Sequence, residues 1–339
     1  RLLEVFSNAN GEFISGQKIS ELLGCSRTAV WKHIEDLRNE GYELEAVRKL
    51  GYRIITKPDK ISGNEIQLGL KTEFLGRYIH FEESVTSTQK IAHRLAYDNA
   101  LEGTLVVAEE QTTGRGRLDR AWYSPKHTGI WMSMILRPQI PPSQAPQLTL
   151  LAAVGVVQAI QEVTGLEPDI KWPNDILINK KKIVGILTEL QAETDRINSV
   201  IIGIGINVNQ ELNHFPESLH SIASSLAIEK GEKIDRSKLI QVILLKIEKL
   251  YNEYLQHGFR VVKLLWESYA TSIGKQIVAR TLSGSIEGKA IGINDEGVLL
   301  LEDVVGKVHH IYSADIELPE NKVRSEEHTS ELQSLRHLV

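Results

Sequence analysis

Residues 16–42 read GQKISELLGCSRTAVWKHIEDLRNEGY and carry the spacing of two short helices joined by a tight turn. Apolar residues three and four apart give each helix one buried face. Gly24 ends the first helix, and Ser26 can cap the second. Two helices around a turn that contains glycine predict a helix-turn-helix. The buried positions are Ile19, Leu22 and Leu23 in the first helix, and Ala29, Val30, Ile34 and Leu37 in the second.

The segment after the second helix, YELEAVRKLGYRI from Tyr42 to Ile54, alternates in two runs around a Lys-Leu-Gly turn and predicts a β-hairpin, or wing. A helix-turn-helix with a wing favours DNA binding. The alternative is a small packing domain with ordinary surface charges, because basic residues exceed acidic ones by only one in residues 1–60. The candidate DNA-binding residues are Ser26, Arg27, Thr28, Lys32, His33, Arg48 and Lys49.

Beyond a joint at Pro58-Asp59-Lys60 the pattern changes to mixed helices and strands, which predicts an α+β multidomain chain. We expect helices at residues 87–100, 147–163 and 237–257, and strands at 104–108, 129–136, 169–172, 176–179, 183–190 and 200–208.

From Gly274 to Leu318 short β-rich runs predict a small antiparallel β barrel, with a hairpin turn at Asp295-Glu296-Gly297. The polar residues 320–339 fit neither pattern and are expected to be a disordered or foreign extension. The predicted domains are therefore residues 1–60, 61–270 and 271–319, with residues 320–339 as a tail.

Composition limits the compartment and the partners. The 339 residues carry a formal net charge of −5 and a single cysteine, Cys25, which excludes an internal disulfide and a cysteine cluster for zinc. The longest apolar run, around Leu148–Val157, is shorter than the roughly 20 residues of a membrane span. No signal-peptide pattern opens the sequence. We expect a cytoplasmic protein without a membrane partner.

The segment EEQTTGRGRLDRAWYSP, Glu109–Pro125, concentrates arginine beside glycine. Glycine lets backbone N–H groups approach a ligand, and guanidinium groups bind carboxylates and phosphates with two donors. The segment therefore predicts an anion-binding loop, although a mobile solvated turn is the alternative. Because its cations repel one another until an anion neutralises them, we expect the loop to be mobile when empty and ordered by its ligand.

Two further segments carry chemistry. In DIKWPNDILINKKKIVGILTEL, Asp169–Leu190, simple alternation places Lys182 and Gly185 on opposite strand faces, so they flank one ligand only if a bulge intervenes or Lys182 reaches from the turn. In IIGIGINVN, residues 201–209, one strand face is apolar and the other carries glycines. A strand face without side chains favours a planar ligand; a closely packed helix is the alternative.

Together these segments resemble the biotin protein ligases, specifically the bifunctional bacterial type that also represses a biotin operon. The family motifs GRGRxGR, KWPND and K-hydrophobic-x-G correspond to residues 114–120, 171–175 and 182–185. The likeness covers about residues 1–318. It implies a winged helix-turn-helix, a central domain related to class II aminoacyl-tRNA synthetases and an SH3-like C-terminal β barrel. Asp119 stands where the family often has glycine, which leaves the turn of this loop open.

The resemblance implies that biotin and ATP form biotinyl-AMP and pyrophosphate, and that a lysine of a biotin carrier domain of a carboxylase then accepts the biotin. Mg²⁺ is expected with ATP, operator DNA and a ligand-linked homodimer are the implied partners, and no residue is singled out as a metal ligand. The implied catalytic residues are Arg115, Arg117, Lys182 and Asp175. Biotin would contact Ser87, Thr88, Gln89, Gln111, Arg115, Gly116, Arg117, Lys182, Gly185, Gly203 and Gly205. The nucleotide would contact Arg117, Arg120, Trp122, Asn174, Lys182 and Asn207.

Asp175 has a specific expected role. A lysine amine with a pKa near 10.4 must lose a proton before it attacks, and a carboxylate after Trp-Pro-Asn can orient and assist it. An aspartate that only caps a turn is the alternative. Two other functions remain open for the chain: a lipoate-type ligase, and a biotin-sensing transcription factor without ligase turnover.

Overall fold

A computed structural model describes residues 1–193 and 196–318, and the expected tail at residues 320–339 lies outside these residues. Residues Arg1–Lys60 form one compact unit, and a second unit begins at Ile61. The two units are described separately below.

The first unit has the predicted helix-turn-helix and hairpin. Its elements are α1 (Leu2–Asn8), α2 (Gly16–Leu23), α3 (Arg27–Asn39), β1 (Glu43–Val47) and β2 (Gly51–Thr56). Ser26 caps α3 through a bond from the Ala29 amide, and Gly24 ends α2 in the left-handed conformation at φ 63°. β1 and β2 pair antiparallel around residues 48–50, as the alternating sequence predicts. The buried core is Phe6, Ile19, Val30, Ile34, Leu37 and Tyr42. The prediction that Leu22 is buried is wrong, because 56% of its surface is exposed.

The second unit is built on a seven-stranded sheet of order β3-β4-β5-β9-β8-β7-β6, in which β3 and β4 are parallel and the other neighbours antiparallel. The strands are β3 (Ile79–Glu82), β4 (Leu105–Ala108), β5 (Gly129–Leu136), β6 (Asp169–Lys171), β7 (Asp175–Ile178), β8 (Lys181–Ala192) and β9 (Ile197–Asn207). The helices are α4 (Gly63–Leu68), α5 (Thr88–Tyr97), α6 (Ala145–Thr164), α7 (Leu226–Lys230), α8 (Arg236–His257) and α9 (Arg260–Tyr269).

The core helix α6 packs against α8 and the sheet. In the described part of the chain, the segment Pro142–Thr164 is the one helix long and apolar enough to cross a membrane, but 72% of its apolar window is buried inside the protein. This helical segment of 23 residues is longer than the apolar run around Leu148–Val157 that the sequence shows. An apolar helix buried on this scale has the character of a core helix.

A β-bulge decides which side chains of β8 face the same way. Ile176 pairs with Val184, whereas Leu177 pairs with Lys182, so Ile183 is the extra residue. The bulge reverses the alternation, and Lys182 and Gly185 line one pocket. Strict alternation, which separates these two residues, is therefore wrong for this strand.

The last strands form a five-stranded antiparallel sheet of order β13-β12-β11-β10-β14. They are β10 (Gln276–Thr281), β11 (Gly284–Ile293), β12 (Leu299–Glu302), β13 (Val308–Ile311) and β14 (Asp315–Glu317). The predicted turn Asp295–Gly297 joins β11 to β12, and Gly297 adopts φ 83°. β14 brings Asp315 to the edge of the pocket described next.

Candidate functional site

A pocket lies where the start of α5, the arginine loop and strands β5, β7, β8 and β9 converge. Its cavity volume is about 70 Å³. Fifteen of the residues expected to act in catalysis or to bind biotin or nucleotide line it, and Asn207 does not. They are Ser87, Thr88, Gln89, Gln111, Arg115, Gly116, Arg117, Arg120, Trp122, Asn174, Asp175, Lys182, Gly185, Gly203 and Gly205.

One wall of the pocket is a network of neutral polar groups. Thr88 donates its amide to Gln111 Oε1 at 2.9 Å, and its hydroxyl lies 2.8 Å from Ser133 Oγ. Ser133 in turn donates to Gln89 Oε1 at 2.9 Å. Thr88, Gln89 and Ser133 are buried, so these bonds hold the donors and acceptors in fixed directions. Sequence reasoning missed Ser133, although it is the one hydroxyl in the apolar strand GIWMSMIL.

The arginine loop folds back on itself as a hydrogen-bonded hairpin. Trp122 donates its amide to Gly114 O at 2.9 Å, and Gly116 donates to Arg120 O at 2.8 Å. Just before the loop, the buried Glu109 pairs with Arg236 at 2.8 Å, which anchors the end of β4 to α8.

The cations of the pocket already have protein partners. Arg115 lies 3.2 Å from Glu189 and 3.3 Å from Asp119, Arg120 pairs with Asp315, and Lys182 pairs with Asp175 at 3.0 Å. Carboxylates therefore offset the repulsion among these three cations, and the mobility of the empty loop stays a prediction.

Arg117 is the pocket arginine held by neutral groups. It donates to Ser313 Oγ at 2.8 Å and to Asn174 Oδ1 at 3.4 Å. Burial lowers the pKa of its guanidinium, and the nearby charges of Asp315 and Asp175 oppose that shift. A desolvated cation without a carboxylate in direct contact gains most from an incoming anion.

Arg120 is fixed by the C-terminal sheet. It donates to both carboxylate oxygens of Asp315, one of them at 3.1 Å, and this bond is the main reason that the pKa of Arg120 is raised. Burial acts to raise the pKa of Asp315, but the bond from Arg120 and the charges of Arg120, Arg117 and Lys171 together outweigh it, and the pKa lies below its usual range. No motif in the sequence pointed to Asp315 or Ser313.

The glycine face of the sheet is covered by Trp122. A methyl group added to Gly205 would lie 2.5 Å from Trp122 Nε1, and one added to Gly185 would lie 2.8 Å from the same ring system. Lys182 Nζ stands 5.1 Å from the centre of the ring, within cation–π range. The planar group against Gly185 and Gly205 is thus a side chain of the protein itself, whereas at Gly203 the nearest group is Gln89 of helix α5, as the alternative of a closely packed helix predicts.

Glu189 was also missed by sequence reasoning. It lies on β8 beyond Gly185, half-buried, and accepts bonds from His93 and Arg115. The bond from His93 is the largest cause that lowers the pKa of Glu189, and the charge of Arg115 acts in the same direction. The sequence does contain an indication of this role, because Glu189 alternates onto the same face of the strand as Gly185 and Leu187.

A second, smaller pocket adjoins the first and shares Trp122 and Lys182 with it. Asn207 lines this second pocket, together with the apolar side chains Phe215 and Leu219. In the described residues, no group of three or more His, Cys, Asp or Glu side chains is placed to hold a metal ion.

In the first unit, the seven candidate DNA-binding residues are exposed on α3, its cap and the hairpin turn. His33 lies 3.8 Å from Asp36 on the same helix. Trp31 is also exposed on α3, with 58% of its surface accessible, and it was not among the candidates.

Sequence profiles of known families match three parts of the chain. An HTH domain profile matches residues 1–53, the biotin/lipoate A/B protein ligase family profile matches residues 81–207, and a biotin protein ligase C-terminal domain profile matches residues 272–318.

Curated relatives match nearly the whole length. The chain is 64% identical to the bifunctional ligase/repressor BirA of Bacillus subtilis over 317 residues, which is 94% of this chain and 97% of that protein. It is 30% identical to the Escherichia coli protein of the same name, over 87% of this chain and 89% of that protein. Among solved structures, a biotin protein ligase from Aquifex aeolicus in complex with biotin and ATP matches with a TM-score of 0.62 and 31% identity, covering 72% of this chain and 100% of that one.

Proposed function

The chain belongs to the family of bifunctional biotin ligase/repressors, and we propose that the pocket described above is where it joins biotin to ATP. It is an ATP-dependent biotin protein ligase and a DNA-binding repressor. The observation that carries the site assignment is the convergence of Arg115, Arg117 and Lys182 on one small pocket beside a glycine face. Two acids that repel each other meet there, and such a reaction needs fixed cations.

In the first step, a carboxylate oxygen of biotin attacks the α-phosphate of ATP. A mixed anhydride, biotinyl-AMP, forms as the bond to pyrophosphate breaks, and pyrophosphate carries away the electron pair. Charge grows on the α-phosphate oxygens in the transition state. Arg117 and Lys182 stabilise that charge: Arg117 has no carboxylate in direct contact, and Lys182 can exchange Asp175 for the phosphate.

In the second step, a carrier lysine attacks the carbonyl carbon of the anhydride. An amide forms, AMP leaves, and the amine gives up a proton. Asp175 lines the pocket and is held by Lys182 at 3.0 Å. Once Lys182 turns to the phosphate, Asp175 is free to orient the ammonium group and accept its proton.

The other contacts divide by chemistry. The neutral wall of Ser87, Thr88, Gln89 and Gln111 suits the ureido ring of biotin, which carries both donors and acceptors. Gly116, Gly185, Gly203 and Gly205 are assigned to biotin through their backbone, and the Trp122 ring on Gly185 and Gly205 would have to move aside for the ligand to reach them. The nucleotide is assigned to Arg120, Trp122, Asn174 and Asn207, and its base to the adjoining apolar pocket.

Magnesium is proposed as the companion of ATP. The described residues offer no cluster of acidic or imidazole side chains for a resident ion. Mg²⁺ would therefore reach the pocket on the phosphates and neutralise part of their charge.

The domain bounds, the fold relationships, the compartment and the protein partners are also proposals, based on the same family membership. We assign the ligase domain to residues 61–270 with a fold related to class II aminoacyl-tRNA synthetases, and an SH3-like barrel to residues 271–319, supported by its five short antiparallel strands. The protein would work in the cytoplasm on the biotin carrier domain of a carboxylase. Bound ligand would promote a homodimer, which sedimentation with and without biotin and ATP tests.

The enzymatic proposal is tested by pyrophosphate exchange. Purified full-length chain is incubated with ATP, labelled pyrophosphate and biotin, and label in ATP is counted. We expect exchange that requires biotin, followed by transfer of labelled biotin to an added carrier domain. Exchange supported by lipoate instead would favour a lipoate ligase. Biotin binding without any exchange would favour a sensing transcription factor and overturn the enzyme.

The repressor role is assigned to Ser26, Arg27, Thr28, Lys32, His33, Arg48 and Lys49, with α3 in the major groove and the hairpin beside it. The test uses duplexes selected from a random pool by the wild-type protein. Lys32→Ala should weaken binding of all duplexes and lower the slope of log K against log salt by about 1, as for one lost phosphate contact. Lys57→Ala, beyond the end of β2, is the control. An unchanged slope in Lys32→Ala contradicts the assignment.

A further inference from the structure

Glu189 joins the arginine loop to helix α5 through both of its carboxylate oxygens. Arg115 Nη2 donates to Oε1 at 3.2 Å, and His93 Nε2 lies 3.0 Å from Oε2. A carboxylate engaged on both oxygens cannot rotate without breaking one of these bonds. Arg115 is thereby tied to two secondary-structure elements rather than to the loop alone.

The tautomer of His93 is determined by a second neighbour, Gln191. Gln191 donates its side-chain amide to His93 Nδ1 at 3.3 Å and to the carbonyl of His93 at 2.9 Å. Nδ1 is therefore an acceptor, and Nε2 carries the proton that is donated to Glu189. Ser199 donates to Gln191 Oε1 at 2.9 Å, which fixes the amide orientation.

Of the two carboxylates at Arg115, Glu189 is the firmer partner. The Glu189 side chain is 29% exposed, whereas that of Asp119 is 86% exposed. Ion pairs in contact with water contribute little, because water screens them. The position of the guanidinium is accordingly determined mainly by Glu189.

One nitrogen of Arg115 has no hydrogen-bond partner among the described residues. Nη1 faces Asp119 and Nη2 faces Glu189, while the buried Nε atom has no hydrogen-bond partner in the structure. A buried guanidinium N–H without an acceptor is unfavourable until one arrives. Arg115 lines the pocket, so a ligand carboxylate that reaches Nε would supply that acceptor.

We propose that Glu189 is a positioning residue, which holds Arg115 at the pocket wall so that its free N–H receives the carboxylate of biotin. This inference rests on the proposed function, since it takes biotin as the acid in the pocket. Glu189 itself does not touch the substrate. Its main effect is on the charged end of biotin through Arg115, although Gln89 of the ureido wall also donates a hydrogen bond to Glu189.

The test compares two ligands that differ only at that end. Binding of biotin and of biotinol, in which an alcohol replaces the carboxylate, is measured by calorimetry on the full chain. We expect Glu189→Gln to weaken biotin roughly tenfold, as for loss of one well-placed charge-assisted contact, and to leave biotinol within about twofold. A merely structural role for Glu189 would weaken both ligands alike.

Two further variants complete the experiment. Arg115→Lys should weaken biotin by itself, and Glu189→Gln added to it should cost little more, because both changes remove the same contact. Glu193→Gln is the matched control, since Glu193 also pairs with an arginine, Arg196, but at the exposed end of β8. It should bind both ligands like the wild type.

The outcomes separate this inference from the proposed function. Equal weakening of both ligands by Glu189→Gln, no weakening of either, or full additivity with Arg115→Lys overturns the positioning role. These titrations need no turnover. Absence of biotin-dependent pyrophosphate exchange in a wild-type protein that still binds biotin more tightly than biotinol would overturn the enzyme and leave the positioning role standing.

Discussion

Asp119 shows how a single residue changes the arginine loop without disrupting it. Leu118 and Asp119 both have φ 56°, in the left-handed region that favours glycine. Aspartate tolerates this region better than most side chains, and here its carboxylate also lies 3.3 Å from Arg115. The departure from the glycine of the family motif is therefore accommodated at position 119 itself.

Asp315 is the residue whose removal should loosen the nucleotide end of the site. In Asp315→Asn, Arg120 loses its two-pronged charged partner, and the KM for ATP should rise about threefold to tenfold with a smaller change in kcat. The effect is modest because both side chains are partly exposed. Steady-state pyrophosphate exchange measures it. Glu296→Gln, at an exposed turn of the same sheet, is the control, and an unchanged KM for ATP in Asp315→Asn would contradict the role.

Glu189 should also make stability depend on pH. Its pKa is lower in the folded protein than the value near 4.3 of an unfolded glutamate, chiefly through the bond from His93. The ionised form is therefore favoured by folding, and this stabilisation is present above about pH 4.3 and lost as the pH falls through the folded pKa. Urea unfolding of wild type and Glu189→Gln should differ at pH 7, and the difference should shrink as the pH falls below about 4.3. A gap that is constant with pH would refute this.

At the scale of the element, strands β8 and β9 form the back of the site through a bulge and a row of glycines. The bulge at Ile183 turns Lys182 toward Gly185, and the glycines leave room for the Trp122 ring. An irregular strand is thus what brings a cation, an aromatic ring and bare backbone to one wall.

Gly205→Ala tests this wall. The added methyl group would lie 2.5 Å from Trp122 Nε1, so the ring must move, and biotin-dependent pyrophosphate exchange should fall on the order of tenfold or more. Gly63→Ala is the matched control, because its methyl group would stand 3.6 Å from the nearest atom at the start of α4. Alanine there should keep full activity and the same or slightly higher stability. Full activity in Gly205→Ala would contradict the prediction, because it would show that the site tolerates a displaced Trp122 ring.

At the scale of the whole molecule, two compact units carry two separable activities. Ligands of one unit should stabilise that unit against heat, because a ligand that binds only the folded form adds RT ln(1 + [L]/Kd) to its stability. The pocket belongs to the unit that begins at Ile61, and the exposed face of α3 belongs to Arg1–Lys60.

Calorimetric melting tests this division. Biotin at about 100 times its Kd should add about 2.7 kcal/mol to the second unit and raise its Tm by several degrees. Lipoate at the same concentration should leave the Tm unchanged. Operator DNA should raise the Tm of the first unit. A lipoate shift as large as that of biotin would contradict the assigned specificity.

The sequence by itself determined the local secondary-structure elements and most of the candidate ligand-binding residues. Helical spacing and the Ser26 cap predicted the helix-turn-helix, and alternation predicted the hairpins. The arginine, KWPND, lysine and glycine motifs marked residues that line one pocket, and the family resemblance added Ser87, Thr88, Gln89 and Gln111. These features depend on neighbours within a few positions, where backbone geometry fixes which side chains share a face. Apolar spacing also predicted the core helix α6, although the helix extends beyond the predicted residues 147–163 at both ends.

Only the tertiary structure decided which partner each charged group has. Arg120 meets Asp315 across 195 positions of sequence, and Arg115 meets Glu189 across 74. No periodicity relates residues so far apart, because their approach depends on how sheets and loops pack. The same is true of the bulge in β8 and of Trp122 on the glycines: each follows from strand pairing and close contact, which arise only when distant segments are brought together.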